Sequence, residues 1–276
     1  MQADWLFLTY RPNDELKFRG GRQIAPIFLY SEQVDVGYTY LPTRLPYEVY
    51  GTVPVKSVTG VGVIYAKRLG ALEVSAEAFG GGASLTFNST SSSTYAVSTY
   101  TAFGANVRGA ALDLRYEPFK LHAAYTASSH SQLYVPSVTA PLDLNTLETM
   151  TVGVGFEHQK VQVTAEAVRV SDPNSPSGSA SAAYGLVGYR VLPKLTPYAM
   201  LSWRDALSGS LTAYPNSVPS SSTYLTGSTS WIGGLNFQAA LPLVLKAEYM
   251  NTGYRFATQS LNYRVNTYTA SADLVF

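Results

Sequence analysis

Apolar and polar residues alternate along almost the whole chain. On residues 71–84, Leu72, Val74, Ala76 and Ala78 alternate with Glu73, Ser75, Glu77 and Phe79. On 160–171, Val161, Val163, Ala165 and Ala167 alternate with Gln162, Thr164 and Glu166. On 242–256, Leu243, Leu245, Ala247 and Tyr249 alternate with Val244, Lys246, Glu248 and Met250. A period of two is that of a β-strand with one apolar face. The pattern predicts strands over 3–11, 15–26, 58–68, 71–84, 103–117, 119–131, 147–158, 160–171, 180–191, 194–206, 228–240, 242–256 and 263–276, about thirteen in all, and no helical period competes. Most approach or exceed the roughly 9–11 residues that a tilted strand needs to cross a bilayer.

The connections sharpen this. PNDE, KRLGA, EPFK, HQK, LPK and LPL are tight, and between them lie long joins at 27–57, 85–102, 132–146, 172–179, 207–227 and 257–262. Short and long joins alternate, so every long loop falls at one end of the strands. Outer-membrane barrels are built this way, with short periplasmic turns and long outer loops. The expected architecture is therefore all-β: a transmembrane antiparallel up-and-down barrel forming one domain over residues 1–276. Ser/Thr-rich runs such as FNSTSSSTYAVST are expected to be solvated loop. GGG at 80–82 reads as a strand-to-loop hinge. Trp5, Tyr10, Tyr65, Tyr100, Tyr116, Tyr125, Tyr198, Trp203, Trp231, Tyr249, Tyr254 and Tyr268 fall near strand ends, where aromatic girdles sit at the headgroup levels.

Composition agrees with a barrel. Only 13% of the 276 residues are charged, about half the usual share for a soluble protein. Hydrophobic residues reach 46%, yet the mean hydropathy is +0.02, because Ser, Thr, Gly and 21 Tyr make up much of the remainder. A net charge of +1 without a basic face argues against a nucleic-acid partner. The absence of cysteine excludes disulfides and thiolate metal sites.

If the last strand runs inward to the periplasm, every tight turn falls on the periplasmic side and every long loop outside. The first strand must then also run inward, and an odd strand count results. Single-chain bacterial barrels have even counts, so an odd number of N-terminal strands is expected to be missing. MQADWLFLTYRP shows no signal-peptide organisation.

The longest join differs from the others. FLYSEQVDVGYTYLPTRLPYEVYG, residues 28–51, carries Glu32, Asp35, Arg44 and Glu48 among five tyrosines and two prolines. Such a segment is built to pack. The strand before it bears Lys17, Arg19 and Arg22. Lys17 and Arg19 share the lumen parity, and Arg22 joins them only if Gly20–Gly21 forms a bulge. An acidic loop opposed to a basic wall would place a transverse field across a constriction, which selects among ions and polar solutes. Glu73, Glu77, Asp113, Arg115, His122, Glu166, Arg204, Lys246 and Glu248 are expected to line the lumen, with Asp273 on the same parity. His158 falls in a tight turn and His130 at a loop start. No nucleophile–base set or metal-ligand spacing is legible, so neither catalysis, metal nor cofactor is expected.

The barrel pattern, the terminal Phe276 and one long structured loop after an Arg-bearing strand resemble the Gram-negative general porin superfamily. FRGGRQIAPIFLYSEQVDVGYTY and RLPYEVYG are also similar to a subgroup of proteobacterial porin-like proteins. The resemblance implies a sixteen-strand barrel whose third outer loop, here 27–57, folds into the pore between the fifth and sixth strands. The PEFGG-type signature of that loop is absent. The resemblance further implies passive diffusion, a homotrimer, contact with outer-membrane lipid and lipopolysaccharide, and Phe276 as a signal read by the barrel-assembly machinery. The competing readings are a non-channel barrel acting as adhesin or receptor through its outer loops, and a soluble β protein.

Overall fold

The computed structural model describes residues 5–53, 56–90, 97–134, 142–144, 146–171, 179–206, 225–240, 242–256 and 262–274. Phe276 lies outside them.

A single antiparallel sheet accounts for nearly all of the described chain. Its strands are β1 (Leu6–Tyr10), β2 (Leu16–Ile24), β3 (Ser57–Leu69), β4 (Leu72–Thr90), β5 (Val97–Tyr116), β6 (Phe119–Tyr134), β7 (Leu142–Leu144), β8 (Leu147–His158), β9 (Val161–Ser171), β10 (Ala180–Tyr189), β11 (Leu195–Ala206), β12 (Leu225–Ala240), β13 (Leu243–Phe256) and β14 (Tyr263–Leu274). Each strand pairs with its sequence neighbours, apart from the three-residue β7, which pairs only with β6 beside the main path. The order is thus up-and-down, with thirteen strands on the main path. Among the described residues the edge strands β1 and β14 do not pair with each other.

The tight turns have local causes. Asn13 accepts the backbone N–H groups of Glu15 and Leu16 at 3.0 and 2.8 Å, closing the β1–β2 turn with its own side chain. Gly70 takes φ +64° between β3 and β4, a conformation that costs glycine nothing.

Two expected joins are shorter than the sequence suggests. β4 and β5 stay paired out to Thr90↔Val97, and β6 runs on to Tyr134. Thr, Ser and Phe fit a paired strand as readily as a solvated loop, and the cross-strand ladder decides between them. The GGG stretch accordingly lies inside β4, opposite Thr59, Gly60 and Val61 of β3, with a register shift against β5 between Gly81 and Ala83.

The two faces differ in kind. Leu8, Val61, Met150, Val152, Val187, Trp231, Leu235 and Tyr268 are large, apolar and exposed on one face. Trp5, Tyr10, Tyr65, Tyr116, Tyr125, Trp203 and Tyr249 are exposed as well. Tyr198, expected in the girdle, is instead 5% exposed on the opposite face, and Tyr254 pairs with Ser228 on that same inner parity. The side chain of Tyr100 lies outside the described residues. The hydrophobic core sits on the inner face, where Phe28 and Val49 of the 25–56 segment pack with Val168, Tyr184, Leu186, Tyr198, Met200 and Ile232 of the wall.

Candidate functional site

Residues 25–56 contain two single-turn 3-10 segments, Ser31–Gln33 and Gly37–Thr39, and one short helix, α1 (Tyr47–Tyr50). Pro46 precedes the helix, and its carbonyl accepts the N–H groups of Val49 and Tyr50. These short turns leave many backbone groups without a partner inside the segment. Buried groups of that kind must be satisfied elsewhere, and here the barrel wall does it.

At the start of the segment, Ile27 offers its carbonyl to Thr151 Oγ1 of β8 and lies 3.3 Å from Nε2 of His122 on β6. The other His122 nitrogen is 3.1 Å from Asp113 on β5. Leu29 gives its N–H to Glu166 of β9 at 2.7 Å, and its carbonyl lies 3.5 Å from Lys120 Nζ. Tyr50 donates its hydroxyl to the other Glu166 oxygen at 2.7 Å. Burial pushes the Tyr50 hydroxyl well above the usual tyrosine range, with the Glu166 charge adding to the effect. Burial raises Tyr30 in the same direction.

The far half is held by β11–β13. Glu48 is 6% exposed and accepts hydroxyls from Ser202 at 2.9 Å, Ser230 at 2.5 Å and Ser228 at 3.4 Å. Glu248 accepts the N–H and hydroxyl of Thr43, both at 3.1 Å, and the Tyr198 hydroxyl at 2.8 Å. Asn236 donates to Leu41 O at 3.2 Å. Arg44 is exposed, with Nη2 3.9 Å from Met250 Sδ. Gly188 of β10 lets the segment approach: a Cβ there would collide with Leu41 Cδ1.

One short segment therefore touches β2, β6, β8, β9, β10, β11, β12, β13 and β14. Neighbouring strands lie about 4.8 Å apart, so a flat sheet would spread those partners far beyond its reach. The sheet curves around the segment, and the segment lies on the concave side.

The predicted residues are thus divided. His122, Glu166, Lys246 and Glu248, expected to line the lumen, are buried beneath the segment and bind it. Parity shows that they point inward; it cannot show that a loop lies on top of them. Glu48 does not face Lys17 and Arg19: it is pinned to three serines on the far wall. Arg204 is buried on that wall, directly opposite Ser228. Arg22 falls on the other parity, because the β1–β2 and β2–β3 registers run unbroken through Gly20 and Gly21. Glu73 pairs with Arg68, and Arg115 with Glu117 at 3.2 Å, both near the tight-turn end of the strands.

What stays on the uncovered side is small and mixed in charge. Arg19 of β2 lies 3.6 Å from Glu32, whose side chain is 65% exposed on the segment. Lys17 and Glu77 flank Ile64 in the register on the same inner face. Asp35 pairs with Lys56 at 3.1 Å within the segment. The three hydroxyls on Glu48 were the features least visible from sequence, since serines in a strand carry no signature of an acceptor to come.

A curved antiparallel wall, apolar outside and bound inside to a folded loop, defines an outer-membrane-type barrel fold. Comparison with solved structures finds this fold in bacterial outer-membrane proteins. The outer-membrane channel DcaP of Acinetobacter baumannii aligns with TM-score 0.56 at 15% identity, covering 94% of this chain and 71% of that one. OmpT, an outer-membrane protein of Vibrio cholerae, aligns in its trimer form with TM-score 0.53 at 14% identity, covering 96% of this chain and 76% of that one. No family model matches the chain, and no curated protein matches it in sequence. At such identities the likeness shows the fold. The chain shares that architecture, with a belt of exposed apolar residues on its convex face.

Proposed function

We propose that the chain forms the wall and constriction of a porin, a water-filled outer-membrane channel for passive diffusion of ions and small polar solutes, acting without catalysis, metal or cofactor. The observation that carries this is the position of the inward loop. Its hydrogen bonds go mainly to β6–β13, while exposed Glu32 meets Arg19 across the side bounded by β2–β5. Water and solute would pass there, between Lys17, Arg19 and Glu77 on the wall and Glu32 and Asp35 on the loop. Rings or patches of opposed charge at a constriction act on permeating ions through a short-range field.

A channel needs a closed wall, because an unpaired strand edge cannot sit in hydrocarbon. The free edges of β1 and β14 must be paired in the working protein. Membership of the general porin superfamily and a sixteen-strand count are part of this reading. The trimer form of the Vibrio cholerae OmpT neighbour supports a homotrimer. Outer-membrane lipid and lipopolysaccharide would solvate the outer belt, and the barrel-assembly machinery would insert the chain.

The test is conductance of the refolded full-length protein in planar bilayers. A porin gives discrete ohmic steps. A folded barrel that binds membranes but passes no current would instead be an adhesin or receptor.

A further inference from the structure

Lys246, on β13, makes the least ordinary contact in the molecule. Its ammonium group is wholly buried. Burying a charge in a barrel wall is costly unless it is paired and hydrogen-bonded. The segment supplies the hydrogen bonds and β14 supplies the counter-charge. Nζ lies 2.6 Å from Gly37 O, 2.8 Å from Tyr40 O and 2.8 Å from Pro42 O, and 3.0 Å from Asp273 Oδ2 of β14. The Tyr40 ring centroid is 4.8 Å away. An ammonium has three protons. The three carbonyls take all of them, and Asp273 supplies the balancing negative charge.

Carbonyls within six residues of one another do not turn toward a common point unless something positive sits there. Their dipoles repel when the centre is empty. The backbone from Gly37 to Pro42 is therefore wrapped around a cation, much as a loop wraps around a bound ion, except that the cation is tethered to β13. Gly37 also makes room for the counter-ion: a Cβ there would lie 2.8 Å from Asp273 Oδ1.

We propose that residues 37–42 and Asp273 form a cation cage specific for a primary ammonium group, and that Lys246 is the positioning residue that fills it and locks the loop's midpoint to the wall. Shortening the side chain then leaves a vacant site that a free alkylammonium ion can occupy.

The experiment uses the full chain, refolded in detergent, and limited trypsin digestion. Arg44 lies two residues past the cage and is the only tryptic site between Arg22 and Lys56. The Arg44 side chain is exposed, but Leu45, Glu48 and Val49 after it are buried, so the extended stretch that trypsin must grip is free only when the loop lifts off, and cleavage reports that open population. Lys246→Ala is expected to release the fragment ending at Arg44 at least about tenfold faster than the parent chain. Ethylammonium chloride should restore protection in Lys246→Ala. Tetramethylammonium, which has no N–H, should not. Lys246→Met, which fills the space without charge, should be cleaved rapidly in both salts. Equal cleavage of Lys246→Ala and the parent overturns the proposal. So does fast cleavage that ethylammonium leaves unchanged, or that both salts slow equally. If Lys246→Ala refolds only poorly, ethylammonium added during refolding should raise the folded yield, and no rise overturns the proposal. Proteolysis reads the loop and not solute flow, so this result and the conductance test fail independently.

Discussion

The Glu166 carboxylate on β9 accepts the N–H of Leu29 at 2.7 Å, joining residues 137 positions apart. Its second oxygen takes the hydroxyl of Tyr50 at 2.7 Å. One wall side chain thus binds both limbs of the inward loop. Glu166→Ala would orphan two buried donors, at a cost of about 1–3 kcal/mol each. The expected result is a barrel that still folds, judged by heat-modifiable migration on gels, with a looser loop and larger, noisier conductance steps.

Alkaline pH should release the same contact. Tyr50 and Tyr30 have pKa values raised by burial, so the folded state holds their protons more tightly than the unfolded chain does. The stability they contribute is fully present below the unfolded value of about 10 and is lost as pH rises beyond it. Titration followed by tyrosinate absorbance should show a late-ionising group that disappears in Tyr50→Phe. Normal ionisation of every tyrosine in the folded protein would contradict the burial.

Gly188 lies against Leu41, and a side chain there would strike it. Gly188→Val should leave the sheet paired, because valine favours strands, but turn the Leu41 side chain out of its seat on β10 and loosen the loop there. Trypsin cleavage after Arg44 should then speed up without loss of the folded gel form.

Much of this was legible in the sequence, and the limits have physical causes. Alternation in 160–171 and 242–256 placed Glu166, Lys246 and Glu248 on the inner face, because parity is a property of the strand alone. What those residues touch is a property of the loop, which folds by long-range contacts that no local pattern encodes. Arg22 depended on a bulge at Gly20–Gly21, and two glycines permit a bulge without requiring one. The outer ends of β4 and β5 looked like spacer, because Ser and Thr serve a strand and a loop equally well. Glu48 stands in a segment whose composition reads as one that packs, but it was expected across from Lys17 and Arg19; its actual partners Ser202, Ser228 and Ser230 come from two strands far along the chain.

The outer belt can be tested separately. Val152 is 48% exposed in the middle of β8, beside Met150 and Val154 on the same face. Val152→Arg should destabilise the protein in lipid by about 2–4 kcal/mol if this face meets the bilayer midplane. Its inward neighbour Thr151 should tolerate Ser with little effect, since the hydroxyl that reaches Ile27 is kept. Unfolding in lipid vesicles by denaturant measures both. Equal tolerance of arginine would mean that Val152 faces water.

The central claim is that the loop is bound across β6–β13 and leaves an aqueous path beside β2. The chain contains no cysteine, so a single introduced thiol reports its own surroundings. In planar bilayers, Arg19→Cys should react with a bulky charged methanethiosulfonate added to the aqueous phase, and the open-channel current should fall as it does. Ser202→Cys, beneath Glu48, should stay unreactive in the same folded channels. Current that persists unchanged while Arg19→Cys is fully labelled would place the path elsewhere and contradict the account.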